Sequence, residues 1–448
     1  MVAGDALKNI ALLAGQDRHI SAIMSGMHSV HHESAAEPLN REIPPMTTTR
    51  RIMLATTAGT LALPQIVRAQ SETFRIGALN PVTGAGSPYG SGMQRMIGAA
   101  VEAINAAGGA NGRRIEVFSE DTQTSPQAAV LAAKKLIEVN RVRAILGTWS
   151  SGVSLAVVPL TNEADMILMN TSGAPALSVP PANARGLSYR FQATNDRFGR
   201  AFAEIATREG FRRPATMAFN NASGIGNTDG FRRAWAAKGN QNGEHVIYEP
   251  SQPSYRAELL RVLASRPDVI VMGSFLPDTT IILREWFQTG TPVKWIIPGW
   301  AANPQLVRAL GPAVTQGIIS VDSVSNEGGE AFVAYDAAHR RAMNQPGTSN
   351  VYAAMTWDMA HTLALAIEQA KSFETTAINA AIRQVANPPG EAISSFAAGR
   401  AAIAAGRKIN FEGASSVLDF DQFGDVTPDF GVFFIEQGQI NRRYVVKI

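Results

Sequence analysis

The sequence feature that most constrains the fold is a repeated alternation of short apolar runs with segments of helical periodicity. Apolar runs of strand length lie at 74–79, 115–118, 142–146 and 166–169, with helical patterns between them, the first of which begins near Ser91. After a proline-rich interval the alternation restarts, with strands predicted at 216–219, 245–248, 269–272 and 295–297, and helices at 197–208, 228–238, 255–264 and 279–288. Strands that alternate with helices form parallel sheets covered by helices on both faces. The sequence therefore predicts an α/β fold with two doubly wound, parallel-sheet lobes.

Composition narrows the class of protein. The chain has 448 residues, of which 45% are hydrophobic and 17% charged, which is typical of a globular protein with two or three cores. The formal net charge is +3 and no run of Lys and Arg exceeds two residues, so a nucleic-acid partner is not expected. The chain contains no cysteine, which excludes disulfides and cysteine-ligated metals.

The first 69 residues have the pattern of an export signal behind an extension. Residues 1–45 lack periodicity and are expected to be an unstructured or mis-assigned extension. Residues 46–69 combine paired arginines (Arg50 and Arg51), a short apolar segment and small residues before Ala69. This pattern resembles a twin-arginine signal cleaved near Ala69, and the apolar segment is too short for a membrane anchor. We therefore expect an exported, periplasmic protein.

A candidate anion-binding corner follows the third predicted strand. The segment 144–152 ends a strand in glycine, continues through Trp149, Ser150 and Ser151, and enters a helical pattern. In open α/β sheets, ligands bind beyond the carboxyl ends of strands, where helix N-termini present unpaired N–H groups. The two serines add hydroxyl donors at this place. The alternative is that a serine only caps the helix, since serine is a preferred cap residue.

An ordered set of motifs is similar to the branched-chain amino-acid-binding (leucine/isoleucine/valine-type) family of type 1 periplasmic solute-binding proteins, which serve ABC transporters. The matching segments are Ile76-Gly77, Thr83-Gly84, Tyr89-Gly90, 101–109, Asn111-Gly112, Glu120-Asp121, Pro126, Ala128, 144–151, 175–177, Asp421, Gly424-Asp425 and 430–433. They span nearly all of the chain after residue 69.

The resemblance implies two lobes joined by a hinge of several chain crossings, which closes around a ligand. We expect residues 71–195 and 323–427 to form lobe 1, and 196–322 and 428–448 to form lobe 2. The resemblance also implies a monomeric carrier that delivers a small molecule to the permease and ATPase of an ABC importer. No cofactor, metal or nucleic acid is expected.

The resemblance assigns site residues position by position. The serine that holds the ligand carboxylate in amino-acid-binding members falls on Ser151, beside Ser150. Loop groups after the fourth strand fall on Thr171 and Ser172, while a family threonine falls on Gly173, so one donor is missing or is replaced by Ser172. Other wall positions of the family fall on Tyr89, Trp149 and Phe275.

One departure from the family pattern bears on the ligand. A glutamate that balances the ligand ammonium is expected within 297–301, but the chain has Gly299 and Trp300 there, with no acid close in sequence. Burying an unpaired ammonium costs several kcal/mol. Either Asp196 or Asp278 serves instead, or the ligand has no ammonium. We hypothesise a carboxylate with an apolar or aromatic body, held in an aromatic-rich pocket that includes Trp300.

The sequence also allows two other classes of function, an enzyme and a signalling module. The segment 84–90 resembles a dinucleotide-binding loop of an NAD-dependent oxidoreductase, but its glycine spacing is one residue too long and it contains Pro88. The three histidines after residue 69 are scattered, and no P-loop or nucleophile elbow occurs, so an enzyme is not expected. A binding module that reports to a separate signalling partner remains the alternative to a carrier.

Overall fold

The structure, a computed structural model, describes residues 72–448. The first sheet is built from β1 (Phe74–Asn80), β2 (Ile115–Asp121), β3 (Ala144–Gly147), β4 (Ile167–Asn170) and β5 (Ser188–Arg190). All of its pairings are parallel, in the order β2-β1-β3-β4-β5. Leu79 pairs with Gly147 and Gly147 with Asn170, so the strand ends that carry the candidate site lie side by side.

Helices cover both faces of the first sheet. They begin with α1 (Ser87–Ala106), α2 (Pro126–Lys134) and α3 (Ser151–Glu163). A π-helical turn at Lys135–Val139 continues α2, and a 3-10 turn at Pro175–Leu177 follows β4. Alternate strand residues pack against opposite faces, since Ile76 and Ala78 belong to one hydrophobic cluster while Leu79 belongs to another.

The second lobe repeats the alternation. After α4 (Asn195–Arg208), its elements are β6 (Pro214–Phe219), α5 (Ala222–Ala237), β7 (His245–Tyr248), α6 (Arg256–Ala264), β8 (Val269–Gly273), α7 (Leu276–Thr289), β9 (Lys294–Pro298), α8 (Pro304–Thr315) and β10 (Ile319–Ser323). These five strands pair in parallel in the order β10-β9-β8-β6-β7.

The chain then returns to the first lobe and crosses back once more. The returning elements are α9 (Glu330–Met343), a 3-10 turn (Gly347–Ser349), α10 (Val351–Ala370), α11 (Thr375–Ala386), β11 (Glu391–Ile393), α12 (Phe396–Ala404) and β12 (Ile409–Phe411). Finally β13 (Phe430–Glu436) and β14 (Gln439–Val446) join the second sheet beside β10. The chain therefore passes between the sheets three times, after β5, after β10 and before β13.

The second sheet contains the predicted parallel strands and, in addition, two strands at one edge that pair in antiparallel fashion. β13 runs antiparallel to both β10 and β14. The two residues between β13 and β14, Gln437 and Gly438, have φ of +51° and +77°. A two-residue turn of this kind can join only antiparallel neighbours. The turn therefore accounts for the hairpin.

A buried helix carries the core of the first lobe. Every residue of α10 from Val351 to Ile367 is buried, and α10 packs along α1. Most of these residues are apolar, as expected for a helix in the interior, and the buried Asp358 carboxylate accepts the N–H groups of Ala414 and Ser415. Its first turn places Tyr352 at the junction of the lobes.

Two helices begin earlier than the sequence predicted. α1 was expected near Ser91 but begins at Ser87, because Pro88 is tolerated in the first turn of a helix. α5 was expected at Thr228 but begins at Ala222, after Asn221 accepts the Gly224 N–H at 2.7 Å. The lobe boundaries stay predictions, and the proposed extension and export signal lie outside the described residues.

Candidate functional site

The two lobes meet over a small central cavity. The residues that line it from the first lobe and the segment after β5 are Trp149, Ser150, Ser151, Thr171, Ser172, Gly173, Gln192 and Tyr352. Those from α4 and the second lobe are Asn195, Phe198, Ser223, Phe275 and Trp300. These lining residues include no Asp, Glu, Lys, Arg or His. The cavity volume is about 20 Å³, room for about one water molecule. Trp149 and Phe275 touch across it, with ring centroids 5.2 Å apart. The lobes are therefore closed on each other.

A wider cleft mouth adjoins the central cavity. It has a volume of about 540 Å³ and shares Ser150 and Phe275 with the cavity. Its walls come from both lobes, with Gln127 and Gly152 on one side and Asn221 and Pro277 on the other. The cleft mouth therefore lies between the two lobes, next to the central cavity.

The corner where β3 meets α3 is shaped by unusual backbone angles. Gly147, Thr148 and Ser150 have φ of +119°, +34° and +78°, and Ser151 is the first residue of α3. The Ser150 side chain makes no capping hydrogen bond, so the alternative that it only caps the helix does not hold. Consequently the first N–H groups of α3 have no side-chain acceptor at the N-cap and can bind an anionic group.

The loop after β4 is held firmly beside this corner. Thr171 and Ser172 line the cavity, and the Ser172 and Ser154 hydroxyls share a hydrogen bond of 2.6 Å. The buried Arg190 guanidinium donates to the Ser172 carbonyl and pairs with the Asp425 carboxylate at 2.8 Å. The Ser172 hydroxyl is therefore already bonded within its own lobe.

Gly173 is required where the family pattern has a threonine. The Asn195 backbone N–H donates to the Gly173 carbonyl at 2.6 Å, and a Cβ on Gly173 would overlap the Asn195 carboxamide. Asn195 Nδ2 donates to Ser151 Oγ at 3.5 Å and to the Ala222 carbonyl at 3.0 Å. The Asn195 carboxamide therefore occupies the space beside Gly173, and the alternatives of a missing donor or its replacement by Ser172 stay predictions.

Two rings form the wall of the second lobe. Phe275 is the N-cap of α7, and the Asp278 carboxylate accepts its backbone N–H at 3.0 Å. Trp300 follows β9, and its Nε1 donates to the Ser274 carbonyl at 2.9 Å. The edge of Phe198 packs against Trp300 at 5.0 Å between centroids. These contacts fix the orientation of the rings at the cavity.

Seven of the nine residues predicted as site residues line the central cavity: Trp149, Ser150, Ser151, Thr171, Ser172, Phe275 and Trp300. Tyr89 does not. It stacks on Trp149 at 6.2 Å, and its hydroxyl accepts from Asn303 Nδ2 at 3.1 Å and donates to the Gly299 carbonyl at 3.4 Å. Tyr89 therefore supports the cavity wall and joins the lobes.

The two acids proposed to balance an ammonium lie elsewhere. Asp196 does not line the cavity, because its carboxylate pairs with Arg200 and Arg233, each at 3.0 Å. Asp278 lies in the cleft mouth and accepts hydrogen bonds from the Tyr248 hydroxyl and the Phe275 N–H. Burial raises the pKa of Asp278 to about 7. Asp196 is thus paired and Asp278 serves as a helix-capping residue.

A third acid, Asp322, approaches the position where the acid was missing. A Cβ built on Gly299 would lie 2.6 Å from Asp322 Oδ2. The carboxylate accepts the Ser323 N–H at 2.8 Å, and within residues 72–448 no Lys, Arg or His side chain lies within ion-pair distance of it. Burial raises its pKa to about 7, and its charge contributes to the raised pKa of Tyr89 and Tyr352. β10 thus supplies a carboxylate next to Gly299, the residue that follows β9, although Asp322 is not among the lining residues of the central cavity.

Sequence reasoning missed five lining residues: Gln192, Asn195, Phe198, Ser223 and Tyr352. Ser223 lies in the first turn of α5, before the predicted start of this helix at Thr228. Gln192 follows β5, a strand of three residues that was not predicted. Of these residues, only Asn195 could have been found from the sequence, because it lies next to the predicted site residue Asp196 and directly after Thr194, the N-cap of α4.

Within residues 72–448, no group of three or more His, Asp or Glu side chains is placed to hold a metal ion. No helix in this part of the chain combines the length and hydrophobicity needed to cross a bilayer.

Two α/β lobes that close over one cavity define a hinged binding protein. The family described as Periplasmic binding protein matches residues 73–406, and the chain belongs to this family. It is a family of binding proteins, in agreement with the prediction that the chain is not an enzyme. The resemblance to proteins that bind leucine, isoleucine and valine is confirmed by a relative named for these amino acids and by a solved leucine-binding protein of the same fold.

Two curated relatives are similar to the chain. An "Amino acid binding protein" of Pseudomonas aeruginosa is 26% identical over 252 residues, which are 54% of this chain. The chain covers 65% of that relative, just under two thirds of its length. The "Leu/Ile/Val-binding protein BraC3" of Rhizobium johnstonii is 24% identical over 331 residues, covering 73% of this chain and 86% of the relative.

Two solved structures share the fold. A leucine-binding protein, LivK, from Thermotoga maritima superposes with a TM-score of 0.72 at 20% identity, covering 84% of this chain and 99% of that one. An ABC transporter solute-binding protein from R. palustris, in complex with benzoate, has a TM-score of 0.67 at 18% identity, covering 84% and 97%. The predicted type 1 periplasmic binding protein fold is thereby confirmed.

Proposed function

We propose that this chain is the solute-binding protein of an ABC importer and captures a small carboxylate with an apolar or aromatic body. The solute enters through the cleft mouth while the lobes are apart, and closure of the lobes encloses it. Because ligand stabilises closure only by contacting both lobes, both walls of the cavity contribute to affinity.

The observation that carries this proposal is the uncapped N-terminus of α3, which opens on a cavity without a cationic side chain. A carboxylate there meets backbone N–H groups, the helix dipole and the Ser151 hydroxyl. The remaining walls offer the rings of Trp149, Phe275 and Trp300. Such walls suit an apolar or aromatic body, and the R. palustris protein of the same fold is in complex with benzoate.

Asp322 favours a second candidate, an amino acid. Its carboxylate lies above Gly299, where an ammonium-balancing acid is expected, and it has no cationic partner among the described residues. A ligand ammonium would supply that partner. The proteins of similar sequence named for amino acids, and the leucine-binding LivK, agree with this candidate.

A thermal-shift screen with matched ligand pairs separates the candidates. Leucine is compared with 4-methylpentanoate, and phenylalanine with benzoate and 3-phenylpropanoate, because a ligand that binds only the folded state raises the unfolding temperature. We expect the acids to stabilise the protein more than the amino acids. A larger shift with leucine, lost in Asp322→Asn, would instead establish the amino-acid candidate.

The contact at Ser151 has its own test. We expect Ser151→Ala to weaken the best carboxylate by about 1–3 kcal/mol, the loss of one charge-assisted hydrogen bond. Isothermal titration calorimetry measures the change. Ser265→Ala, an exposed serine of the second lobe, is the matched control. Equal affinities of the Ser151→Ala variant and the parent protein would remove Ser151 from the site.

The remaining assignments concern partners and location. We propose export by the signal at 46–69, cleavage near Ala69, action as a monomer and delivery to a permease and ATPase. Uptake of the labelled ligand by cells that lack only this protein tests the carrier role. Normal uptake together with a lost transcriptional response to the ligand would favour the signalling alternative.

A further inference from the structure

Gln192, whose side chain lines the central cavity, has a buried hydrogen-bond donor without a partner among residues 72–448. The side chain is 2% exposed and lines the cavity. Its Oε1 accepts the Ala193 N–H at 2.8 Å and a hydrogen bond from the Ser323 hydroxyl. Since a backbone N–H must face an oxygen, these contacts fix which end of the amide is Oε1. The other end, Nε2, is buried and has no hydrogen-bond partner within residues 72–448.

The Tyr352 hydroxyl is the polar neighbour of this amide. Tyr352 also lines the cavity, and its hydroxyl lies next to the Gln192 and Trp149 side chains. The separation is too long, or the alignment too poor, for Gln192 Nε2 to make a hydrogen bond of normal geometry there. Burial raises the pKa of Tyr352 well above its usual value, so its hydroxyl remains protonated. The rings of Trp149 and Tyr89 pack against Tyr352 at 6.0 and 5.1 Å and offer no strong acceptor.

A buried donor left without an acceptor costs free energy, and an arriving ligand removes that cost by supplying an acceptor. The carboxylate is assigned to the N-terminus of α3. Gln192 follows β5 and Tyr352 begins α10, so these two residues come from other elements of the wall.

We infer that Gln192 and Tyr352 form a second polar subsite, which binds a hydroxyl or carbonyl oxygen on the body of the ligand. The inference rests on the proposed function and narrows it: the preferred solutes are oxygenated carboxylic acids rather than acids with a bare hydrocarbon body. Gln192 Nε2 donates a hydrogen bond to the ligand oxygen. The neighbouring Tyr352 hydroxyl holds the Gln192 amide and the ligand oxygen in position.

The test compares benzoate with 2-, 3- and 4-hydroxybenzoate by isothermal titration calorimetry. We expect at least one hydroxybenzoate to bind the parent protein about fivefold or more tightly than benzoate, as one net hydrogen bond implies. Gln192→Met removes the donor at similar length, and Tyr352→Phe removes the hydroxyl but keeps the ring. Each variant is expected to weaken the preferred hydroxybenzoate by a larger factor than it weakens benzoate, so that the preference is lost. Gln241→Met, an exposed glutamine, is the matched control.

The outcomes distinguish this inference from the function on which it rests. If benzoate and the hydroxybenzoates bind equally, or if Gln192→Met weakens all four acids alike, the second subsite is refuted while carboxylate capture stands. If none of these acids nor any other carboxylate binds, the proposed function fails and the inference fails with it. Unfolding temperatures of both variants without ligand show whether the fold is kept.

Discussion

Gly173 and Asn195 show how one missing side chain changes a site. The carboxamide of Asn195 occupies the space over Gly173, and Gly173 cannot carry a Cβ without overlap. We expect Gly173→Ala to destabilise the protein by about 1–3 kcal/mol, the usual cost of overpacking. In the double variant with Asn195→Ala, much of that loss is recovered, because the obstructing amide is gone.

Urea unfolding of the four proteins in this cycle measures the coupling between the two positions. Additive losses in the double variant would mean that Gly173 is required for another reason. The cycle also reports on the site, since Asn195→Ala removes a donor to Ser151 Oγ.

Asp322 makes stability depend on pH. Its pKa is raised by burial to about 7 in the folded protein, from an ordinary value of 3.8. Between these values the folded state keeps a proton that the unfolded state releases, so the stability linked to this group is lost as pH rises from about 4 to 7. We expect the unfolding temperature to fall between pH 5 and pH 7.5, and to fall less in Asp322→Asn.

Calorimetry at the two pH values measures this difference. Part of the dependence remains in the variant, because Asp278 and Asp358 also have pKa values raised by burial to about 7. Asp229→Asn, on the surface of α5, is the control. A variant with the same pH dependence as the parent would show that Asp322 is not the group that titrates.

For individual residues, the sequence predicted which side chains lie at strand ends and helix starts, but not which residues from different strands come into contact. Ser150 and Ser151 were selected because a strand end and a helix start could be read directly from the chain. Asp322 could not be found this way. It reaches Gly299 from the neighbouring strand, and only the pairing of β9 with β10 brings the two residues together.

Among the elements, α3 differs from its neighbours in having no side-chain cap. Thr194 caps α4 by accepting the Arg197 N–H at 3.3 Å, whereas Ser150 makes no such bond at α3. Loss of a capping hydroxyl typically costs about 1 kcal/mol. We therefore expect Thr194→Ala to lower the free energy of unfolding by about that amount and Ser150→Ala to change it by less than about 0.5 kcal/mol.

Chemical denaturation without ligand compares these two variants under the same conditions. Equal losses would show that Ser150 does cap α3 in solution, which would weaken the assignment of its N-terminus to the ligand. A small loss for Ser150→Ala leaves those N–H groups to the solute.

The strands and most helices could be predicted because their apolar periodicity is strong and local. The exceptions have physical reasons. β5 has three residues and no periodicity of its own, and it is stabilised by the ion pair of Arg190 with Asp425, 235 positions away. The antiparallel direction of β13 and β14 is set by the two-residue turn at Gln437 and Gly438, and not by the apolar periodicity of the strands. Helix starts were missed where proline or a polar cap, rather than an apolar residue, sets the first turn.

For the whole molecule, Tyr89 joins the lobes without lining the cavity. Its hydroxyl accepts from Asn303 and donates to the Gly299 carbonyl, so Tyr89→Phe removes contacts that exist only when the lobes are closed. We expect this change to weaken every ligand by a similar factor, about two- to tenfold, because it shifts the closure equilibrium rather than a ligand contact.

Calorimetry with two chemically different ligands tests this uniformity, and Tyr444→Phe in the second lobe is the control, since its hydroxyl bonds only Glu209. A selective loss for one ligand would place Tyr89 in direct contact with the solute.

Two of the six tryptophans in the chain, Trp149 and Trp300, border the central cavity from opposite lobes. Indole emission depends on the polarity and mobility of its surroundings, so the protein carries an intrinsic optical probe on each half. Replacing one tryptophan at a time with phenylalanine would assign the signal to one half. Stopped-flow traces of the two variants would then record whether the halves sense the arriving solute together or in succession.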